Sequence, residues 1–410
     1  MFLELRYLAP AGAPIQTDDL RRWATAAWAA TDPSEALRVA VQARFGVRHC
    51  ATASTGRAGM TLLLRALRRK APAGSNEVVL PTYTCYSVAA SVVKAGFRVR
   101  LVDINPDTLD YDASQLAATD FTRVFAIVAT NLYGLPNDLP ALSSIARKHS
   151  VSLVDDAAQA MGATVGGRPC GTWGDVGLFS LDKGKNVSAI DGGLLVTDSD
   201  DVARALELEM RALPQPTIVE SGVNVMKAFA YFALLRPWLY GIPARIPQLG
   251  LGRTVFSTDF ALHSSDPRLM ALGLVMFNRL DQFTQARVSN ASALLEGLRE
   301  CRGISTVSPI SGCAPAYLRL PILCASAGAR QSVLGALTAA GIGATASYPE
   351  ALADVPELHE HLANPFVDAR GGRSVATRIV TLPTHPFVTS ADASRIVATV
   401  RKATSSACAA

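Results

Sequence analysis

Short runs rich in β-branched residues alternate with polar or helix-patterned stretches from Glu77 to Asp198, which predicts βαβ units feeding a mostly parallel sheet. The predicted strands are Glu77–Leu80, Arg98–Ile104, Arg123–Leu132, Val151–Ala157, Asp175–Leu181 and Gly192–Asp198, with helices expected over Tyr86–Ala95 and Leu139–His149. Upstream, the small polar stretch ATASTG reads as a cap and turn opening a helix over Gly59–Arg69. Beyond about residue 200 the pattern changes. Prolines at 214, 216, 237, 243 and 247 predict an irregular connection up to Gly252. Inside it Met226–Leu239 is expected as a buried or dimer-interface helix, with peripheral membrane contact through Trp238 and Tyr240 as the lesser alternative. Pro267 to Gly297 keeps a single helical periodicity through Leu269, Leu272, Val275, Met276, Leu280 and Phe283. A strand-like Leu318–Leu323, a helix near Ala329–Ala340, a strand-like ATASY over 344–348 and a helix near Ala391–Ala403 predict a smaller α/β unit ending in a frayed TSSACAA tail. The expected division is a large domain over 1–255 and a small C-terminal domain over 256–410.

Composition narrows the class. With 410 residues, 49% of them hydrophobic, the chain is long enough for two packed domains. Lys and Arg number 39 against 34 Asp and Glu, so the net +5 argues for neither a nucleic-acid nor a membrane partner. The cysteines are scattered without a CxxC pair, which points away from disulfides and zinc and toward a reducing cytoplasm. Glu4 and Arg6 interrupt the apolar N-terminal stretch, unlike a secretory signal. Ala228–Leu235, the longest uncharged stretch before Arg236, falls far short of the roughly 20 residues of a spanning helix. His359 and His361 read as a solvated helix face rather than a metal site.

Two clusters carry candidate chemistry. In VDDAAQAMGA, Asp155 and Asp156 stand at the C-terminal end of an apolar strand, the edge where open α/β sheets bind ligands, although such a pair also suits Mg²⁺ or a plain turn. In GLFSLDKGKN, a strand ends in Ser180 and a glycine-containing loop presents Lys183 and Lys185. A lysine there is either a solvated charge or a Schiff-base lysine. Lysine, acid, Ser180 and the STG turn before a helix together supply what pyridoxal phosphate (PLP) needs: an amine for the aldehyde, an acid for the pyridinium nitrogen, and hydroxyls with helix-terminal N–H groups for the phosphate.

The segments ASTGRAGMTLLLRAL, VVLPTYTCYSVAASVVKAGFRVRLVDINPDTLDYD, NLYGLPNDLPALSSIARKH, VDDAAQAMGATVGGRPCGTWGDVGLFSLDKGKN and DGGLLVTD, followed late by GIGATASYPEAL and TLPTHPFVT, resemble the DegT family of PLP-dependent sugar aminotransferases. The resemblance implies a fold type I PLP-dependent transferase with a mostly parallel central sheet, working as a homodimer. It implies that Lys185, directly before Asn186, holds the cofactor while Lys183 is a surface charge. Asp156 then pairs with the pyridinium nitrogen, Gln159 lies near the 3-oxygen, and Ser180 with Gly56 and Arg57 binds the phosphate. The implied reaction moves an amino group from an amino-acid donor, glutamate, to a nucleotide-linked keto-sugar. A PLP-binding regulator without turnover stays an alternative. Related sugar dehydratases form another, but they carry histidine where this chain has Lys185. Three positions depart from the family pattern: Arg57 replaces a threonine, Cys85 replaces the ring-stacking aromatic and leaves Tyr86 or Tyr83 as substitutes, and ALHSSDPR replaces the Asn/Tyr/Arg signature that reaches the partner's phosphate, leaving His263, Ser264 or Arg268 for that contact.

Overall fold

A computed structural model describes residues 6–27, 32–246 and 254–407. The six predicted runs become β2 (Glu77–Pro81), β3 (Arg98–Val102), β4 (Val124–Thr130), β5 (Ser152–Asp156), β8 (Val176–Ser180) and β9 (Gly193–Thr197), while β1 (His49–Ala53), which takes up residues 51–53 of the stretch read as a cap and turn, and the two-residue β6 (Thr164–Val165) and β7 (Arg168–Pro169) were not expected. Seven of them form one sheet in the order β1-β9-β8-β5-β4-β2-β3. β9 alone runs against its neighbours β1 and β8, and the remaining pairs are parallel. β4 and β8 are buried at every position, which is why their sequences show apolar runs rather than alternation. Along β4, Phe125, Ala126 and Val128 join a core that includes the helices Gly56–Arg68 and Tyr86–Lys94. Its Val124, Ile127 and Ala129 join a second core with the helices Leu139–His149 and Pro267–Phe277. Helices thus cover both faces, and the parallel strands all deliver their C-terminal ends to one edge.

The C-terminal part adds β10 (Ile304–Thr306), β11 (Cys313–Ala314), β12 (Arg319–Cys324) and β13 (Ile379–Pro383). β10, β12 and β13 make an antiparallel three-stranded sheet, and β11 pairs with β6. The helices Leu280–Leu298, Ala327–Ala339 and Ser390–Ala407 accompany it, completing the expected smaller α/β unit.

Several elements differ from the sequence reading. The periodic stretch after Pro267 is two helices, Pro267–Phe277 and Leu280–Leu298, because Arg279 leaves helical geometry (φ −104°, ψ 8°) and its guanidinium reaches Asp19 and the Pro14 carbonyl. Both helices bury an apolar stripe, so periodicity alone does not reveal the break. ATASY is no strand; Thr345 makes an isolated bridge to Thr381 and Ser347 sits at φ 55°. The proline-punctuated connection contains two helices, Ile218–Leu234 and Pro237–Ala244. Thr217 and Glu220 start the first with a capping box, and Pro237 lies in the first turn of the second, where no N–H is needed. Met226 and Trp238, in the stretch expected to be one buried or dimer-interface helix, are 64% and 56% exposed in the single chain on either side of this break, so the stretch is neither one helix nor buried within the chain. The tail continues as helix through Ala407 instead of fraying at Thr404, whose hydroxyl donates back to the Val400 carbonyl. Residues 1–5, 247–253 and 408–410, which bear on the N-terminal, connection and tail readings, lie outside the described residues.

Candidate active site

Strand alternation gives the two acids at the end of β5 opposite duties. Asp155 is fully buried and accepts from the Gly171 N–H (2.6 Å), the Trp173 N–H (3.1 Å) and Asn131 Nδ2 (2.8 Å), so its carboxylate staples the loop before β8. Among the described residues, Asp156 accepts only the local Ala158 N–H (3.0 Å). Burial pushes its carboxyl up to about 6, while the Lys185 ammonium pulls the other way. A buried acid facing a lysine and short of donors is poised for a cationic N–H from a ligand. Three residues on, Gln159 accepts the Tyr133 N–H (3.0 Å) and donates to the Tyr348 hydroxyl (3.1 Å).

Lys185 sits in the turn after β8, its N–H donating to the Asp182 carbonyl (3.1 Å). Arg287, fully buried on the helix Leu280–Leu298, grips that turn from behind by donating to the carbonyls of Asn186 (3.1 Å), Lys185 (3.3 Å) and Gly12 (2.9 Å). Burial without an acid in contact brings its guanidinium down to about 10. Lys183 is half-exposed beside Asp182 at 3.7 Å.

Thr55 caps the helix Gly56–Arg68 by accepting the Ala58 N–H. A Cβ on Gly56 would lie 3.2 Å from Ser180 Oγ, so the missing side chain leaves the hydroxyl and the first helical N–H groups facing a common space. The Arg57 guanidinium lies over the Phe260 ring at 5.0 Å, which Lys94 also approaches at 4.7 Å. Cys85 precedes the helix Tyr86–Lys94 without capping it. Around it, the Tyr348 ring lies 5.6 Å from Tyr83 and 5.9 Å from Tyr86, and the Tyr86 hydroxyl is fixed to the Glu350 backbone at 2.9 and 3.0 Å. Ser264 is bonded to the Pro214 carbonyl and bridges Ala53, Arg268 offers its carbonyl to Trp23, and His263 stands beside them.

Sequence reasoning missed Arg287, Tyr133, Tyr348 and Arg319, whose Nη1 donates to Thr345 Oγ1 (3.2 Å) at the start of β12. For Arg287 a signal existed: it falls four residues after Phe283 and four before Ala291, on the apolar stripe of its helix. For Tyr348 and Arg319 there was none, because the fold brings them from the C-terminal part.

The arrangement fits PLP. Beyond the acid, the lysine and the helix-terminal cradle, both polar side-chain atoms of Asn186 and Thr84 Oγ1 are buried with no hydrogen-bond partner among the described residues, polar groups that a ligand with ring oxygen and phosphate can satisfy.

A model of the DegT/DnrJ/EryC1/StrS aminotransferase family matches residues 16–227 and 268–401. Among curated proteins, the UDP-N-acetyl-3-dehydro-alpha-D-glucosamine 3-aminotransferase of Acidithiobacillus ferrooxidans is 34% identical over 172 residues, 42% of this chain and 46% of that protein. The L-glutamine:2-deoxy-scyllo-inosose aminotransferase of Streptomyces kanamyceticus is 36% identical over 190 residues, 44% of this chain and 43% of that protein. The matched stretches thus span less than half the length of these relatives. Among solved structures, the aminotransferase TlmJ from Streptoalloteichus hindustanus superposes with a TM-score of 0.78 over 98% of this chain and all of that one at 22% identity, a likeness of fold. With the family model covering both sides of the site, the chain belongs to the DegT/DnrJ/EryC1/StrS aminotransferase family.

Proposed function

We propose that the protein is a PLP-dependent aminotransferase that moves an amino group from an amino-acid donor, glutamate, to a keto-sugar, nucleotide-linked, and that it works as a homodimer. The observation that carries this reading is the pairing of Asp156, buried and short of donors, with Lys185 at the C-terminal edge of the sheet. Relatives whose names specify a UDP-linked amino sugar and an inosose support a carbonyl-bearing carbohydrate as acceptor.

The bound cofactor supplies an electron sink for the pair released when a C–H bond beside the amine breaks. Asp156 would hold a proton on the pyridinium nitrogen of the group, and its burial would strengthen that ion pair. Lys185 Nζ would hold the group at rest and, once freed by the donor amine, would take the proton from the donor α-carbon and, in the second half-reaction, deliver one to the acceptor carbon. Gln159, itself oriented by Tyr133 and Tyr348, would serve the ring oxygen, and Gly56 with Ser180 would hold the phosphate. Donor and acceptor use one site in turn, so double-reciprocal plots at several donor concentrations are expected to be parallel.

The test is a single turnover. Glutamate added to the yellow holoenzyme should shift the absorbance to the amine form of the cofactor, and that form should then aminate members of a keto-sugar panel, read by mass spectrometry. A holoenzyme whose spectrum no amino acid changes would favour the regulator, and release of water from a sugar without nitrogen transfer would favour a dehydratase.

A further inference from the structure

Residues 228–267 fall between the two stretches the family model matches, and they hold most of the bent helix pair Ile218–Leu234 and Pro237–Ala244. Both helices turn apolar side chains to solvent: Val219, Val223, Met226 and Phe229 from the first, Trp238, Leu239 and Ile242 from the second. Their inner sides are anchored. Tyr231 accepts the Ala13 N–H (3.0 Å) and donates to the Lys183 carbonyl (2.7 Å), tying the pair to the loop that carries Lys185. Ala228 and Ser221 are buried beneath. The outward apolar surface is therefore held by a fixed inner face.

Charge decides what covers it. From Ile218 to Thr258 the sequence contains one acid, Glu220, whose carboxylate is taken up by the Thr217 N–H and hydroxyl at the helix start, against Lys227, Arg236 and Arg245. Arg236 lies at the bend with its guanidinium over the Phe232 ring at 4.2 Å. A second copy of this chain meeting the patch about a two-fold axis would set these cations against their own counterparts with Glu220, already held at the helix start, as the segment's one acid to offset them. An anionic lipid leaflet matches both properties, since its headgroups take the cations while Trp238 and the aliphatic side chains enter the acyl boundary. The helices are 17 and 8 residues long and meet at 115°, and no single helix among the described residues is long and apolar enough to cross a membrane, so the geometry suits lying in the interface.

We propose that this hairpin docks the enzyme on an anionic membrane surface, with Met226, Trp238 and Ile242 inserted and Lys227 and Arg236 at headgroup level. The idea is independent of the catalytic reading. Full-length holoenzyme is sedimented with vesicles of phosphatidylcholine alone or with phosphatidylglycerol added. At about 0.1 M salt the anionic vesicles should bring down at least about tenfold more protein, and about 0.5 M salt should reverse most of the gain. The exposed triple substitution M226S/W238S/I242S should abolish binding with the melting curve unchanged. Lys227→Glu should weaken only the phosphatidylglycerol-dependent part. Brominated lipid should quench tryptophan fluorescence in the parent and not in Trp238→Phe. Failure to bind either vesicle, or binding untouched by the triple and Lys227 variants, overturns the proposal. So does a triple variant that leaves vesicle binding absent throughout but lowers the mass in sedimentation velocity, which would make the patch an interface between copies.

Discussion

Lys185 and Lys183 lie two residues apart in one loop, yet their surroundings divide their tasks. Lys183 is half-exposed beside Asp182, whereas the backbone under Lys185 is clamped and its charge acts on Asp156. Lys185→Ala should therefore abolish borohydride trapping of the cofactor and Lys183→Ala should retain it; peptide mapping that finds the label on Lys183 would reject the assignment. Burial raises both acids of the pair to about 6, and it is their hydrogen-bond partners that separate them. Burial raises the Asp156 carboxyl from 3.8 to about 6, so the folded cofactor-free protein binds more protons than the unfolded chain in that window and loses stability as pH rises through it. Asp156→Asn should stabilise cofactor-free protein at pH 8 by up to about 3 kcal/mol and have no effect near pH 4, while crippling amination. Asp155→Asn, which puts an amide NH₂ against the Gly171 and Trp173 N–H groups, should instead cost about 2–3 kcal/mol of stability and spare more of the chemistry. Denaturant titration at both pH values with single-turnover rates distinguishes these outcomes. Arg57, stacked on Phe260 one residue into the helix that seats the phosphate, is expected to add to cofactor affinity. Arg57→Thr should weaken PLP binding by about 1–3 kcal/mol with the absorbance of the bound form unchanged, and an unaltered dissociation constant by fluorescence would remove it from the phosphate site.

At the level of elements, the site depends on a helix that never touches the ligand space by sequence logic. The helix Leu280–Leu298 spends a fully buried arginine on the carbonyls of Gly12, Lys185 and Asn186, joining the N-terminal segment, the lysine turn and the start of the C-terminal part. Removing those donors leaves buried carbonyls unpaired as well as freeing the turn. Arg287→Met should lower unfolding free energy by about 2–4 kcal/mol and also slow borohydride-trappable cofactor uptake, although Lys185 is intact. Arg287→Lys, which keeps the charge with a poorer donor geometry, should fall between. A variant that melts earlier but takes up cofactor at the parental rate would leave Arg287 a stability residue alone.

Across the whole molecule, the C-terminal part is tied to the large sheet by a charge at a helix start. Asp103, just past β3, accepts the N–H groups of Gly371 (2.7 Å) and Gly372 (2.9 Å) at the beginning of the helix Arg370–Arg378, and the Thr82 hydroxyl (2.6 Å). No side chain fits at Gly371, where a Cβ would come within 1.9 Å of the Ile104 carbonyl. Asp103→Asn should cost about 1–3 kcal/mol and raise hydrogen exchange at the start of this helix well before β4 and β5 are affected. Uniform exchange across both would mean the contact is not a separable tie.

The sequence by itself determined whatever follows from local pattern: the parallel strands and their helices from Glu77 on, the acids at the end of β5, the lysine loop and the capped helix that opens after Thr55. These are read from runs, caps and motif spacing, in which neighbours in sequence are neighbours in space. It did not reveal the break at Arg279 or the bridge at Thr345, because the partners that decide them, Asp19 and Thr381, are far away along the chain. Only the tertiary structure decided that Asp155 is a staple while Asp156 stays short of donors, since adjacent positions on a strand face opposite sides and the loops on each side come from elsewhere. Likewise only the fold could place Arg287 behind Lys185 and Tyr348 against Gln159, contacts that close a hundred residues or more of intervening chain.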